Sequence, residues 1–145
     1  MEITKIRNAT LKIEYGGVCF LVDPWLQDVG SITSFVESGT FKNPIVPLPM
    51  PVNEVLSGVD CYVITHVHPD HLDLKFESLE NMTFAAHVLD KAVAVVVQGE
   101  EDAAFMREAG FRGARGDTGR PHRRIAFGCR RPCIGDSRLA ASLCC

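Results

Sequence analysis

Residues Ile64–Asp73 read ITHVHPDHLD, placing three of the chain's five histidines and two aspartates within ten residues. The apolar run before them, VDCYVI, reads as a buried strand that delivers the chain straight into this polar cluster. In extended backbone, residues two apart point the same way, so His66, His68 and Asp70 aim three donor groups at one volume. Pro69 stops ladder pairing and turns the chain off the sheet, setting His71 beside Asp70. Imidazoles joined by a carboxylate suit Zn²⁺ or another first-row divalent ion, with Mn²⁺ and Fe²⁺ as alternatives. The position, just past a strand end, is where open α/β sheets place their ligands. The competing reading is a polar loop that holds no metal; the completeness of the spacing argues against it.

Working outward, EITKIRN and TLKIEY alternate apolar and polar residues, the period of a strand with one buried face. Gly16-Gly17 separates TLKIEY from VCFLVDP, which predicts a tight hairpin, and Asp23-Pro24 ends the third strand. Leu26–Val52, with prolines at 44, 47, 49 and 51, reads as a long extended loop bordering a pocket. Asn53 is the expected N-cap of a short helix, EVLSG, closed by Gly58. LDLKFESLEN is read as a short helix, AVAVVVQ as an interior strand, and GEEDAAFMREAGF as a helix stopped by Gly110. Strands alternating with helices indicate an α/β fold.

Charge divides the chain. Residues 1–111 carry 7 Lys and Arg against 16 Asp and Glu, whereas residues 112–145 carry 8 against 2, all eight being Arg. Four of the six cysteines, Cys129, Cys133, Cys144 and Cys145, also fall in the second part, where neither structural period can be followed. The expected domains are therefore residues 1–111 and an irregular Arg/Cys-rich tail, 112–145, for which an out-of-frame reading is one account. The cysteine spacing matches no standard zinc pattern. No run is long and apolar enough for an export signal or a membrane span, so a cytoplasmic protein without membrane contact is expected.

THVHPDHLD carries the His-x-His-x-Asp-His signature of the metallo-β-lactamase superfamily, and IRNATLKIEYGGVCFLVDPWL resembles that family's opening strands. VVVQGEEDAAFMREAGF is similar to a strand and helix that follow the motif there. The resemblance, nearest to the ascorbate-6-phosphate lactonase-like branch, covers about residues 3–111. It implies the N-terminal half of an αββα sandwich and a two-ion site in the complete family member. His66 and His68 would bind the first metal and Asp70 and His71 the second, with Asp70 also orienting the attacking water. Asp23 would support the site without ligating. The family completes its site with a histidine further downstream, then an aspartate and a last histidine. His87 comes too early in the chain for that role, and His122 stands among arginines.

The remaining candidates have plain readings. Asp73 is expected to cap the next helix or to support His71 through a hydrogen bond. Cys19 and Cys61 read as core residues. By resemblance the function is metal-dependent hydrolysis of a small ester, lactone or phosphate-bearing substrate. The alternatives are an inactive remnant of such an enzyme and, behind it, a basic-tail nucleic-acid binder. A homo-oligomer stays open.

Overall fold

The computed structural model describes residues 1–33, 42–78, 81–84 and 89–116, with backbone alone for 76–78, 81, 82 and 84. Along the chain, β1 (Glu2–Arg7), β2 (Thr10–Tyr15) and β3 (Val18–Val22) are followed by the short β4 (Ile32–Thr33) and β5 (Lys42–Asn43). Then come α1 (Val52–Leu56), β6 (Cys61–Ile64), β7 (Leu74–Ser78) and β8 (Asn81–Phe84). The last are β9 (Ala94–Val97), α2 (Glu100–Glu108) and β10 (Ala114–Gly116).

Six of these strands form one sheet in the order β1-β2-β3-β6-β9-β10. The first three make an antiparallel meander, while β3, β6, β9 and β10 run parallel. Gly16 and Gly17, at φ +59° and +79°, make the β2–β3 turn, because that left-handed backbone costs glycine nothing. The mixed sheet has the α/β character expected.

The register sorts the side chains. Leu21, Tyr62, Val95 and Ala114 line up across β3, β6, β9 and β10 on one face. Together with Ile64 and Val97 they meet Val55 of α1 and Ala103 and Met106 of α2, all buried, in the main core. Phe111 closes that core, with its ring edge-on to Tyr62 at 6.4 Å. Burying one such side chain contributes about 1.5–3 kcal/mol. The Lys12 ammonium group ties α1 to the sheet through the carbonyls of Glu54 and Ser57 at 3.2 and 2.7 Å. The opposite face carries Leu11, Val22, Val63 and Val96 in one row, none of them fully buried.

Several elements differ from the sequence reading. Residues 74–78 form a strand that pairs with β8, not a helix. Leu72, Leu74 and Phe76 fall two apart, the strand period. Helix α1 starts at Val52, with Pro51 rather than Asn53 at the N-cap; the Glu54 and Val55 amides reach the Pro51 carbonyl. Pro51 suits that place because its fixed φ precedes the helix without needing an amide hydrogen. Beyond Phe111, β10 joins the sheet edge parallel to β9, so five residues past the expected boundary take part in the fold. Strand, hairpin and helix readings for β1–β3, β6, β9 and α2 match what is observed, and Gly110 ends α2 at φ +97°. His87, His122, the four tail cysteines and residues 117–145 lie outside the described residues.

Candidate metal centre

Strands β1, β3, β6 and β9 all finish along one border of the sheet, and the histidine-rich turn leaves from β6 at that border. Beside it, β3 ends at Asp23. The Asp23 amide donates to the Val63 carbonyl at 2.9 Å, carrying the β3–β6 pairing one residue further. Its backbone is left-handed, φ +44°, a conformation Asp tolerates better than most residues. That geometry turns the carboxylate, only 2% exposed, under the turn. Oδ1 accepts the Thr65 amide and Oδ2 the Thr65 hydroxyl, each at 2.8 Å. Oδ2 also lies 2.8 Å from Nδ1 of His71.

Extended alternation does not gather the donors, because β6 stops at Ile64. A turn does so instead. The His68 amide reaches the His66 carbonyl at 3.1 Å, and the His71 and Leu72 amides both reach the His68 carbonyl at 3.0 Å. Buried Pro69 sits at the bend. The result brings the rings of His66 and His71 together, tilted by 50° with centroids 3.9 Å apart, and sets His68 edge-on to His66 at 4.6 Å. Nε2 of His71 lies 3.8 Å from Oδ2 of Asp70. All four residues expected from the sequence thus share one turn.

The hydrogen bonds decide the tautomers. A carboxylate only accepts, so His71 Nδ1 must carry the proton it gives Asp23, which leaves Nε2 with a lone pair. Thr65 has one hydroxyl proton, already given to Asp23, so Oγ1 accepts from Nδ1 of His66 at 3.1 Å. His66 therefore also presents Nε2 as a donor atom. Thr65 escaped the sequence reading, although it stands directly before His66 in the quoted motif.

Among the described residues, no three His, Cys, Asp or Glu side chains form a ready-made metal-binding group in this conformation. One pair of donors does match the spacing of ligands on a shared ion. Two ligand atoms each about 2.1 Å from one ion lie roughly 3.4 Å apart at a tetrahedral angle and about 4.2 Å apart at most. The 3.8 Å between His71 Nε2 and Asp70 Oδ2 falls inside that range. Imidazoles and a partly exposed carboxylate are the right chemistry for a divalent cation.

Asp73 does neither thing expected of it. No helix follows it, and its carboxylate turns the other way: Oδ1 accepts the amides of Leu26 and Gln27 at 2.6 and 3.0 Å. Burial pushes its carboxyl up to about 6, opposed by those two amides and by the Arg7 cation. Arg7, also buried, donates to the carbonyls of Trp25, Gln27 and Val46 and lies over the Trp25 ring. Burial lowers its pKa despite the nearby acids Asp73 and Asp28. Between them, Arg7 and Asp73 pin the segment after β3, beside a cavity of about 460 Å³ lined by Arg7, Asp28, Leu48, Met50 and Val52, among others. Leu48 and Met50 belong to the Pro-rich loop, which does border a pocket as its sequence predicts. Cys19 and Cys61 are buried in the sheet, the latter with its thiol pushed up to about 11, first by burial.

No family model matches the chain. It is 38% identical over 114 residues to the UPF0173 protein YddR of Bacillus subtilis, covering 77% of this chain and 41% of that protein. It is 37% identical over 71 residues to a UPF0173 metal-dependent hydrolase of Aeropyrum pernix, covering 49% and 22%. Among solved structures it matches the isothiocyanate hydrolase from Delia radicum gut bacteria with TM-score 0.69 and 35% identity, over 85% of this chain and 44% of that one. A possible metal-dependent hydrolase from Veillonella parvula matches with TM-score 0.67 and 28% identity, over 79% and 41%. The fold is that of the matching part of these two solved structures. These likenesses support the metallo-β-lactamase-like resemblance read from the sequence, at the level of the family rather than of a branch. The chain spans less than half the length of each of these proteins. No described helix is long and apolar enough to cross a membrane.

Proposed function

We propose that this chain is a metal-dependent hydrolase unit whose cation is held by His66, His68, Asp70 and His71. His66 and His68 would take a first ion and Asp70 and His71 a second. Zinc is the first choice for imidazole and carboxylate donors, with manganese and iron as alternatives. Such an ion supplies Lewis acidity and an acidified water for attack on a carbonyl or phosphoryl centre. The chain's own residues do the positioning. Asp23 fixes the His71 ring, Thr65 orients the His66 ring, and Asp70, partly exposed on the turn, accepts a hydrogen bond from the attacking water and orients it. The substrate would be a small ester, lactone or phosphate-bearing molecule in the cytoplasm, in keeping with a lactonase-like branch. The likeness to an isothiocyanate hydrolase adds a second kind of electrophilic carbon to test.

One observation carries this reading: Nδ1 of His71 lies 2.8 Å from the Asp23 carboxylate and Nδ1 of His66 3.1 Å from the Thr65 hydroxyl, which engages both of those nitrogens and leaves Nε2 of each ring as the ligand atom. The test is metal content by mass spectrometry on singly folded protein after dialysis against Zn²⁺ or Mn²⁺. Bound metal in the wild type and at least tenfold less in His68→Ala is the expected result; a wild type that takes up none overturns the reading. Chelator-sensitive turnover of a nitrophenyl ester, a lactone, a phosphoester or benzyl isothiocyanate would then identify the substrate class.

A further inference from the structure

The cavity of about 460 Å³ beside the Pro-rich loop includes none of the four candidate metal donors in its wall. Its size falls within the range of about 300–1,000 Å³ typical of small-molecule sites. Most of the wall is apolar: Val29, then Leu48, Met50 and Val52 interleaved with prolines. Its polar groups are Arg7, Gln27 and Asp28, two of them with opposite charges. Arg7 is 4% exposed, and its hydrogen bonds go only to carbonyls, those of Val46, Trp25 and Gln27. Nη1 makes one of these bonds and keeps a second proton, while Nε makes none. The Gln27 carbonyl belongs to the peptide that leads into Asp28, so the acid stands near the cation and acts on it. Among the described residues, however, neither forms an ion pair, and the exposed Asp28 carboxylate has no hydrogen-bond partner. Asp73 acts on the same guanidinium without lining the cavity, its Oδ1 taken by the Leu26 and Gln27 amides. Gln27 gives its Nε2 to the Leu74 carbonyl and keeps its Oε1 as an acceptor.

We propose that this cavity binds a free apolar α-amino acid, such as leucine or phenylalanine, as a second site separate from the metal centre. The ligand's carboxylate meets Arg7, its ammonium group meets Asp28 and Oε1 of Gln27, and its side chain lies against Leu48, Met50 and Val52. A zwitterion answers both charges of the wall. A simple carboxylate leaves its head facing Asp28, and a simple amine brings a second cation to Arg7. A neutral hydrocarbon meets two charges that it cannot pair. An α-amino acid also carries its two charges on either side of a single carbon, which suits a cation and an acid that are neighbours without touching. This site is independent of the hydrolase reading and stands or falls without it.

The test is isothermal titration calorimetry of L-leucine into the full chain, with and without EDTA. Expected is saturable binding, the same in both conditions. Isocaproate lacks the ammonium group, isoamylamine the carboxylate and L-serine the apolar side chain. Each should bind at least tenfold more weakly, the cost of one charge-assisted contact or one buried aliphatic group. Asp28→Asn, at an exposed position, should weaken leucine at least tenfold and leave isocaproate no weaker. Leu48→Trp fills the apolar end and should abolish leucine binding, with circular dichroism to show that the variant folds; if it does not, Asp28→Asn decides alone. A chain that binds no leucine overturns the proposal. So does equal binding of either singly charged analogue, or a leucine affinity unchanged in Asp28→Asn. Binding that EDTA removes puts the amino acid on an ion at the histidine-rich turn and equally overturns it.

Discussion

Asp23 Oδ2 lies 2.8 Å from His71 Nδ1, so the last residue after one strand fixes a ring on the turn that leaves its neighbour. The same carboxylate holds the Thr65 amide and hydroxyl. A single buried acid thereby sets the depth of the turn and the tautomer of His71. Asp23→Asn keeps one acceptor oxygen and tolerates the left-handed backbone, but its amide cannot accept the His71 proton. Metal affinity, measured by chelator competition, should fall about 10- to 100-fold. Asp23→Ala adds an unsatisfied amide and backbone strain, and urea unfolding should register a loss on the order of 2–3 kcal/mol. Unchanged affinity in Asp23→Asn would show that the ring needs no such anchor.

Thr65 offers a finer test. Thr65→Val preserves shape and removes the hydroxyl that accepts from His66 and donates to Asp23. About tenfold weaker metal binding is expected, with Thr65→Ser close to wild type. Equal affinities for the valine and serine variants would rule out the hydroxyl as the group that sets the His66 tautomer.

Gly116 reports on where the folded body ends. A Cβ there would stand 2.5 Å from the carbonyl carbon and oxygen of Gly99, backbone atoms at the start of α2. Gly116→Ala must displace either the helix or β10, and a loss of about 1–3 kcal/mol in chemical denaturation is expected. A neutral result would mean that residues 114–116 are not docked in solution and that the fold does stop near Phe111.

Cys61 gives a pH dependence of definite sign. Its thiol is raised to about 11, so the folded state favours the neutral form. The stability this group contributes is complete below the unfolded thiol's value, near 8.5–9, and is lost as pH rises through 11. Urea midpoints at pH 8 and pH 10.5 should drop further in the wild type than in Cys61→Ala. Tyr62, also raised by burial, titrates in both proteins and cancels from the comparison. Parallel slopes would remove the thiol from the account.

Local patterns made much of this legible. Period-two alternation marked β1 to β3, Gly16-Gly17 marked their turn, and the spacing of His66, His68, Asp70 and His71 marked the site. The mechanism of convergence was not legible, because strand β6 ends two residues before His66 and hydrogen bonds to the His68 carbonyl do the gathering. The β7 strand was mistaken for a helix although Leu72, Leu74 and Phe76 held the strand period. Asp73, Arg7 and Thr65 depend on partners 18 to 47 residues away or on which proton goes where, and no local pattern encodes either. β10 is three residues long and owes its place to β9, so its own sequence carries no signal of it.

The four candidate donors sit within six residues, His66 to His71, and their mutual arrangement is set by that bend and by the end of β3. The proposed cation capture is therefore modular: it could persist while everything that selects a substrate is exchanged, lost or lent by another polypeptide.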